Sequence, residues 1–220
     1  MQPPTECRWS FPSPELWPDD DDIVAVGADL ETDTLLYAYA HGMFPMFIPE
    51  RFFSREKNLA WWSPVHRGVI PLDGLRITRS VRQSAKKFTC TVDTAFVNVM
   101  KFCATSHDEE HNWIDQDFID AYTELHHEGH AHSVEVWNAA GELVGGLYGV
   151  RINKFFAGES MFHTETDASK VALMHLVQLM TLDGMELLDT QWRTDHLESL
   201  GCIAIPREKY LQLLASAITP

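Results

Sequence analysis

His132-Ser-Val-Glu-Val-Trp137, Gly141-Glu-Leu-Val-Gly-Gly-Leu-Tyr-Gly-Val150 and Phe155-Phe-Ala-Gly-Glu-Ser-Met-Phe162 are three apolar runs separated by tight turns. The first alternates with period two, as a half-buried strand does, and Ala139-Ala-Gly141 has turn composition. Ile152 to Lys154 supplies a second hairpin turn, so the three runs predict an antiparallel meander. Downstream, Asp167 to Leu182 reads as a helix with an apolar stripe of Leu173, Leu176, Val177 and Met180, stopped by Gly184. Glu186 to Gln191 follows as a strand and Pro206 to Ser216 as a last helix. Upstream, Thr78 to Lys87 is helical, Thr89 to Val92 is a strand, and Asp93 is placed to cap a helix carrying Phe96, Val99, Met100 and Cys103. Asp115 to His127 is a further helix closed by Gly129. The predicted class is α/β (α+β), with a mixed, mostly antiparallel sheet.

The first third is less regular. Phe11-Pro-Ser-Pro-Glu15 is proline-stiffened loop, and Ile23 to Val26 is a short strand ended by Gly27. Thr32 or Asp33 can cap a helix through Leu35, Leu36 and Tyr39 that stops at Gly42. Two aromatic-rich stretches, Gly42 to Phe47 and Trp61-Trp-Ser-Pro64, flank a polar linker from Glu50 to Asn58. These features divide the chain into a small N-terminal domain, 1–65, and a larger domain, 66–220.

With 220 residues and 45% hydrophobic content, the chain is large enough for a proper core. No run approaches the roughly 20 apolar residues of a membrane helix, and no cationic start with an apolar stretch marks a secretory signal. Cys7, Cys90, Cys103 and Cys202 are too few and too scattered for a disulfide scaffold or a zinc site. A reduced, cytoplasmic, monomeric protein is expected.

The net charge of −15 discourages a general nucleic-acid or membrane binder. Its distribution matters more. From Glu15 to Asp33 there are eight carboxylates and no Lys or Arg. Between His66 and Phe88, Arg67, Arg76, Arg79, Arg82, Lys86 and Lys87 face only Asp73, a local charge of +5. Arg79, Arg82 and Lys86 share one face of a helix, which is either a solvated surface or a phosphate-contacting stripe.

Generic chemistries fail on spacing. Six of the eleven histidines fall between His107 and His132, but they straddle a helix end, a turn and a strand start. No G-x-S-x-G occurs, no cysteine sits among cations, and Gly145-Gly146 lies in a strand rather than a phosphate loop. Glu159, by contrast, is a carboxylate inside a strongly apolar strand, costly unless paired or functional. Asp189 and Gln191 lie two apart on a strand and point to one face. Both could equally belong to a satisfied polar network. Trp61, Trp62 and Trp113 are either core residues or stacking surfaces for a base-like ligand.

In chain order, Phe11-Pro-Ser-Pro-Glu15, Leu35-Leu-Tyr-Ala-Tyr39, Gly42-Met-Phe-Pro45, Trp61-Trp-Ser-Pro64, the three meander runs, Asp167-Ala-Ser-Lys170, Asp189-Thr-Gln191, Ser199-Leu-Gly201 and Ile205-Pro-Arg207 match one pattern. From Phe11 to about Leu214 the chain resembles the leucyl/phenylalanyl-tRNA–protein transferases. The resemblance implies a GNAT-like (acetyltransferase-type) C-terminal domain and transfer of Leu or Phe from aminoacyl-tRNA to proteins whose N-terminal residue is Arg or Lys. The product is marked for N-degron proteolysis, and no metal or organic cofactor is expected. Asp189 would polarise Gln191, whose amide oxygen accepts a hydrogen bond from the attacking amine, and Glu159 would meet the cationic acceptor. Leu147, Phe156, Met161, Phe162, Leu173 and Val177 are candidates for the donor side-chain pocket beside Ser160. Methionine is a further possible donor, since such pockets discriminate by only ~1–3 kcal/mol per methylene. Trp61, Trp62 and Trp113 would stack the terminal adenosine, and Arg67, Arg76, Arg79, Arg82, Lys86 and Lys87 would hold the acceptor stem.

His41, Met46, His163, Thr190 and Thr194 depart from the residues usual in that pattern. Two rivals remain at this level: a CoA-dependent acyltransferase, against which the missing Q/R-x-x-G-x-G/A loop argues, and a binding module with a dead site.

Overall fold

The computed structural model describes residues 7–48, 58–106 and 113–219. Two sheets form. The first is three-stranded and antiparallel, from β1 (Ile23–Val26), β2 (Phe44–Phe47) and β3 (Leu59–Trp62) in the order β1-β3-β2, with helix α1 (Thr32–Ala40) between its strands in sequence. The second has seven strands: β4 (His66–Ile70), β5 (Thr89–Val92), β6 (Ala131–Trp137), β7 (Leu143–Ile152), β8 (Phe155–His163), β9 (Leu187–Gln191) and β10 (Ile203–Pro206). Their order is β10-β4-β9-β8-β7-β6-β5, and only β8 and β9 pair in parallel. The expected meander and the mixed, mostly antiparallel sheet are therefore what forms.

Alternation along β6, β7 and β8 splits the core between two faces. Ala131, Tyr148, Val150, Phe155 and Phe162 pack with α1, α3 (Phe96–Thr105), α4 (Gln116–His127) and α7 (Arg207–Ile218). Val134, Val136, Leu147 and Phe156 face α5 (Ala168–Leu182) and α2 (Arg79–Ser84). The short helix α6 (Asp195–Ser199) follows β9. The first core is continuous from Leu35 and Tyr39 to Tyr210 and Leu214, so both ends of the described chain share one apolar interior.

Several local expectations are corrected. Strands β2, β3, β4 and β10 form where the sequence carries no strand signal, because prolines bound or interrupt them. Pro45 and Pro206 sit on outer strands, where a missing N–H is tolerated. Helix α1 begins after Glu31 and takes no cap from Thr32 or Asp33. Asp93 does not cap α3, which starts after Ala95. Its backbone is left-handed (φ 57°), and its carboxylate accepts from Ser133 N and pairs with His132 Nδ1, both at 2.8 Å. Of the polar linker, all but Asn58 lies outside the described residues.

Candidate active site

Two strand irregularities aim the functional side chains. Tyr148 pairs with Ser160 and Gly149 with Gly158, so Glu159 is the extra residue of a β-bulge and turns away from the ladder. A second shift lies between Gly68 and Val69 of β4, opposite Gln191 and Asp189. Gln191 there has φ 56°, and a Cβ on Gly68 would stand 2.6 Å from the Trp192 carbonyl carbon. Only glycine lets β4 approach so closely. The parallel pairing of β8 with β9 ends at Ala157 and Asp189, and beyond it both strands flank a cavity of about 530 Å³.

Asp189 is fully buried behind this cavity. Arg67 donates Nε to its Oδ1 at 2.8 Å and Nη2 to its Oδ2 at 2.6 Å, a two-point ion pair with both side chains out of water. Arg67 also donates to the Gly42 carbonyl at 3.1 Å and to the Tyr210 hydroxyl at 3.2 Å. It lies 4.3 Å from the Tyr210 ring and 4.9 Å from the Phe44 ring. Burial works against its charge, but the Asp189 carboxylate more than offsets this and holds its pKa above the ordinary value. Tyr210 Oη donates to Asp189 Oδ2 at 3.0 Å, and Gln191 N donates to Oδ1 at 3.0 Å.

The side-chain amide of Gln191 turns the other way and donates from Nε2 to Glu159 Oε1 at 3.2 Å. The hydroxyls of Tyr39 and Tyr122 bond each other and the Glu159 carboxyl. Burial, and next the Glu159 charge, pushes both phenols well above their ordinary pKa, so they stay protonated donors. Burial likewise raises Glu159, against the Tyr39 hydrogen bond and with the Asp189 charge adding, to about 8. The folded protein keeps a proton that the unfolded chain releases near 4.5, so stability falls as pH rises from there to about 8 and then levels. Glu159→Gln removes this slope, and urea unfolding between pH 5 and 9 is expected to show the variant gaining on wild type up to pH 8. Parallel curves would refute the assignment.

Cys103, also buried here, has its thiol pushed up to about 12 by burial and is no thiolate nucleophile. Among the described residues, no group of three His, Cys, Asp or Glu could hold a metal ion.

Residues 28–65 match the leucyl/phenylalanyl-tRNA protein transferase N-terminal domain, and 69–215 match the leucyl/phenylalanyl-tRNA protein transferase domain. A leucyl/phenylalanyl-tRNA–protein transferase of Pseudoalteromonas atlantica is 44% identical over 94% of this chain and 88% of its own. One from Hydrogenovibrio crunogenus is 43% identical over 96% of this chain and 78% of its own. The chain belongs to the leucyl/phenylalanyl-tRNA–protein transferase family. Among solved structures, a GNAT-family acetyltransferase from Staphylococcus aureus aligns over 46% of this chain and 71% of its own, at 16% identity and a TM-score of 0.36.

In this member of the transferase family, the cavity is lined by Leu147, Glu159, Ser160, Met161, Phe162, Leu173, Gln191 and Trp113 of the expected set. Asp189 lies behind the wall and accepts from the Gln191 backbone N–H, not from its side-chain amide as expected; the amide donates to Glu159 instead. Phe156 and Val177 are buried in the core beside α5, and Phe156 lines a second, smaller cavity of about 200 Å³. Trp61 is entirely buried and donates to the Gly27 carbonyl at 2.8 Å, so it has no face to offer a base. Trp62 packs edge-on against Trp192, which lines the cavity in its place.

Arg67 leaves the cationic stripe, for the buried pair with Asp189 consumes it. Arg76, Arg79, Arg82, Lys86 and Lys87 are exposed as expected. Helix α2 ends at Ser84 and Lys86 stands in a following 3₁₀ turn, so the stripe is not one uninterrupted α-helical face. His163, Met46 and Thr194 line the cavity, Thr190 as well, whereas exposed His41 stacks on Tyr37 at 4.0 Å. Tyr39, Tyr122, Tyr210 and Trp192 join the site without a sequence signal that marks them. Each reads as an ordinary core aromatic, and only the hydroxyl contacts across the fold distinguish the tyrosines.

Proposed function

We propose that this transferase moves leucine or phenylalanine, and also methionine, from aminoacyl-tRNA to the α-amine of proteins that begin with Arg or Lys. The observation that carries the reading is the apolar cavity whose wall ends in the coupled amide and acid, Gln191 and Glu159. At about 530 Å³ it falls within the ~300–1,000 Å³ of small-molecule sites. Leu147, Met161, Phe162 and Leu173 suit the donor side chain, and Trp113 and Trp192 suit the terminal adenosine.

The chemistry asks for orientation. An aminoacyl ester is already activated, and an α-amine with a pKa of about 7.7–8.0 is in useful part neutral near pH 7. The amine nitrogen attacks the ester carbonyl, the bond to the ribose oxygen breaks, and the released hydroxyl takes up the proton that the amine loses. With its NH₂ committed to Glu159, Gln191 has its carbonyl oxygen to accept from the incoming amine. A guanidinium or ammonium approaching Glu159 favours its carboxylate form and strengthens that bond.

Asp189 and Arg67 act from behind by fixing the Gln191 backbone. The division of the chain at residue 65 belongs to the same proposal: the N-terminal part supplies Phe44, Pro45 and Met46 as one wall. No helix among the described residues is long and apolar enough to cross a membrane. We place the enzyme in the cytoplasm as a monomer that carries out the transfer without a metal or organic cofactor, and its product enters N-degron proteolysis. Labelled Leu-tRNA should modify a peptide beginning with Arg and spare one beginning with Ala; equal labelling of both, or of neither, would reject the reading. Met-tRNA in the same assay tests the third donor.

A further inference from the structure

The mouth of the cavity carries an edge of basic side chains that the transfer chemistry leaves unused. His163, at the end of β8, and His196, in α6, both line it and both are exposed. The His163 ring is held by Ser169, with Nδ1 and Oγ 3.3 Å apart. Lys170, the next residue in α5, donates to Asp167 Oδ1 at 3.1 Å and keeps its remaining N–H groups for other partners. Burial first, and then the charges of Lys170 and His163, lower the pKa of His196, which places the three basic groups within electrostatic reach of one another. The other oxygen of Asp167 accepts from Ser84 Oγ at 3.0 Å, tying the start of α5 to the end of α2. Helix α2, joined to α5 by that bond, carries the exposed cations Arg79 and Arg82.

We propose that His163, His196 and Lys170 take the phosphodiesters of the single-stranded 3′ end of the donor tRNA as it leaves the cavity toward α2. The inference rests on the aminoacyl-tRNA reading. An ester on the terminal ribose brings the first phosphodiester within one nucleotide of the cavity, so that phosphate must pass the mouth. Imidazole and ammonium N–H groups there position a backbone without reading bases.

The test compares two donors, phenylalanyl-tRNA and phenylalanyl-adenosine, the second lacking any phosphodiester. For His163→Ala/His196→Ala/Lys170→Gln, the KM for phenylalanyl-tRNA is expected to rise about tenfold. The salt dependence of kcat/KM should become shallower by about 0.7 in log–log slope for each phosphate no longer neutralised. The KM for phenylalanyl-adenosine should rise by a clearly smaller factor, since His163 and His196 line the cavity but meet no phosphodiester there. An unchanged tRNA KM and slope, or an equal rise for both donors, overturns the proposal. His163→Ser/Lys170→Gln, with a thermal melt matching wild type, serves if the triple variant folds poorly. A wild type that transfers from neither donor overturns the underlying reading, whereas a wild type that transfers while its variant matches it overturns this proposal alone.

Discussion

Asp189→Ala is expected to lower stability by about 3–5 kcal/mol, because it leaves the Arg67 guanidinium charged, buried and without its counter-ion. For a chain of this length that corresponds to a fall in Tm of roughly 6–20 °C. The contacts left to Arg67, the Gly42 carbonyl and the Tyr210 hydroxyl, are neutral and cannot balance the charge. Loss of activity in this variant therefore reports folding as much as chemistry. Removing both charges separates the two. Arg67→Met/Asp189→Leu should recover much of the lost stability, since a buried pair replaced by apolar groups of similar volume is often no worse. If Asp189→Ala melts within about 2 °C of wild type, the pair does not carry the structural role given it here.

Gln191→Ala is expected to cut kcat by about 10²-fold or more while leaving Tm and the KM for aminoacyl-tRNA nearly unchanged. The left-handed backbone at this position is strained for glutamine and alanine alike, so the substitution adds no backbone cost. Its amide N–H to Asp189 survives, because the backbone makes that bond. Only the link to Glu159 and the oxygen facing the amine disappear. A variant that keeps kcat within about threefold of wild type would show that transfer proceeds by orientation of the substrates alone.

The sheet was legible because its strands carry local signals. The alternating run of β6, the turn-bounded apolar runs of β7 and β8 and the glycine-stopped helices α4 and α5 fall where composition puts them. Strand β4 was not, since His66-Arg-Gly-Val-Ile70 is short and flanked by prolines, and its place beside β9 is fixed only by long-range pairing. The same limit misassigned Arg67. Its neighbours in sequence form a cationic segment, whereas its partner stands 122 residues away. Glu159 announced itself, because an acid in an apolar strand is expensive. Its bulge did not, for a one-residue register shift depends on the partner strand, and the two tyrosines that hold it come from helices remote in sequence.

The separation between Arg67 and Asp189 also sets a clock. At ~5–20 residues per second, the ribosome makes Arg67 roughly 6–24 s before the carboxylate that neutralises it. Through that interval the interior around Phe44 and Gly42 has a guanidinium to bury and nothing to bury it with. The nascent N-terminal segment must stay open, its Arg67 in water, until β9 has been made and α7 brings Tyr210 to the same carboxylate. Synthesis order thus delays assembly of the cavity wall until almost every residue that lines it exists.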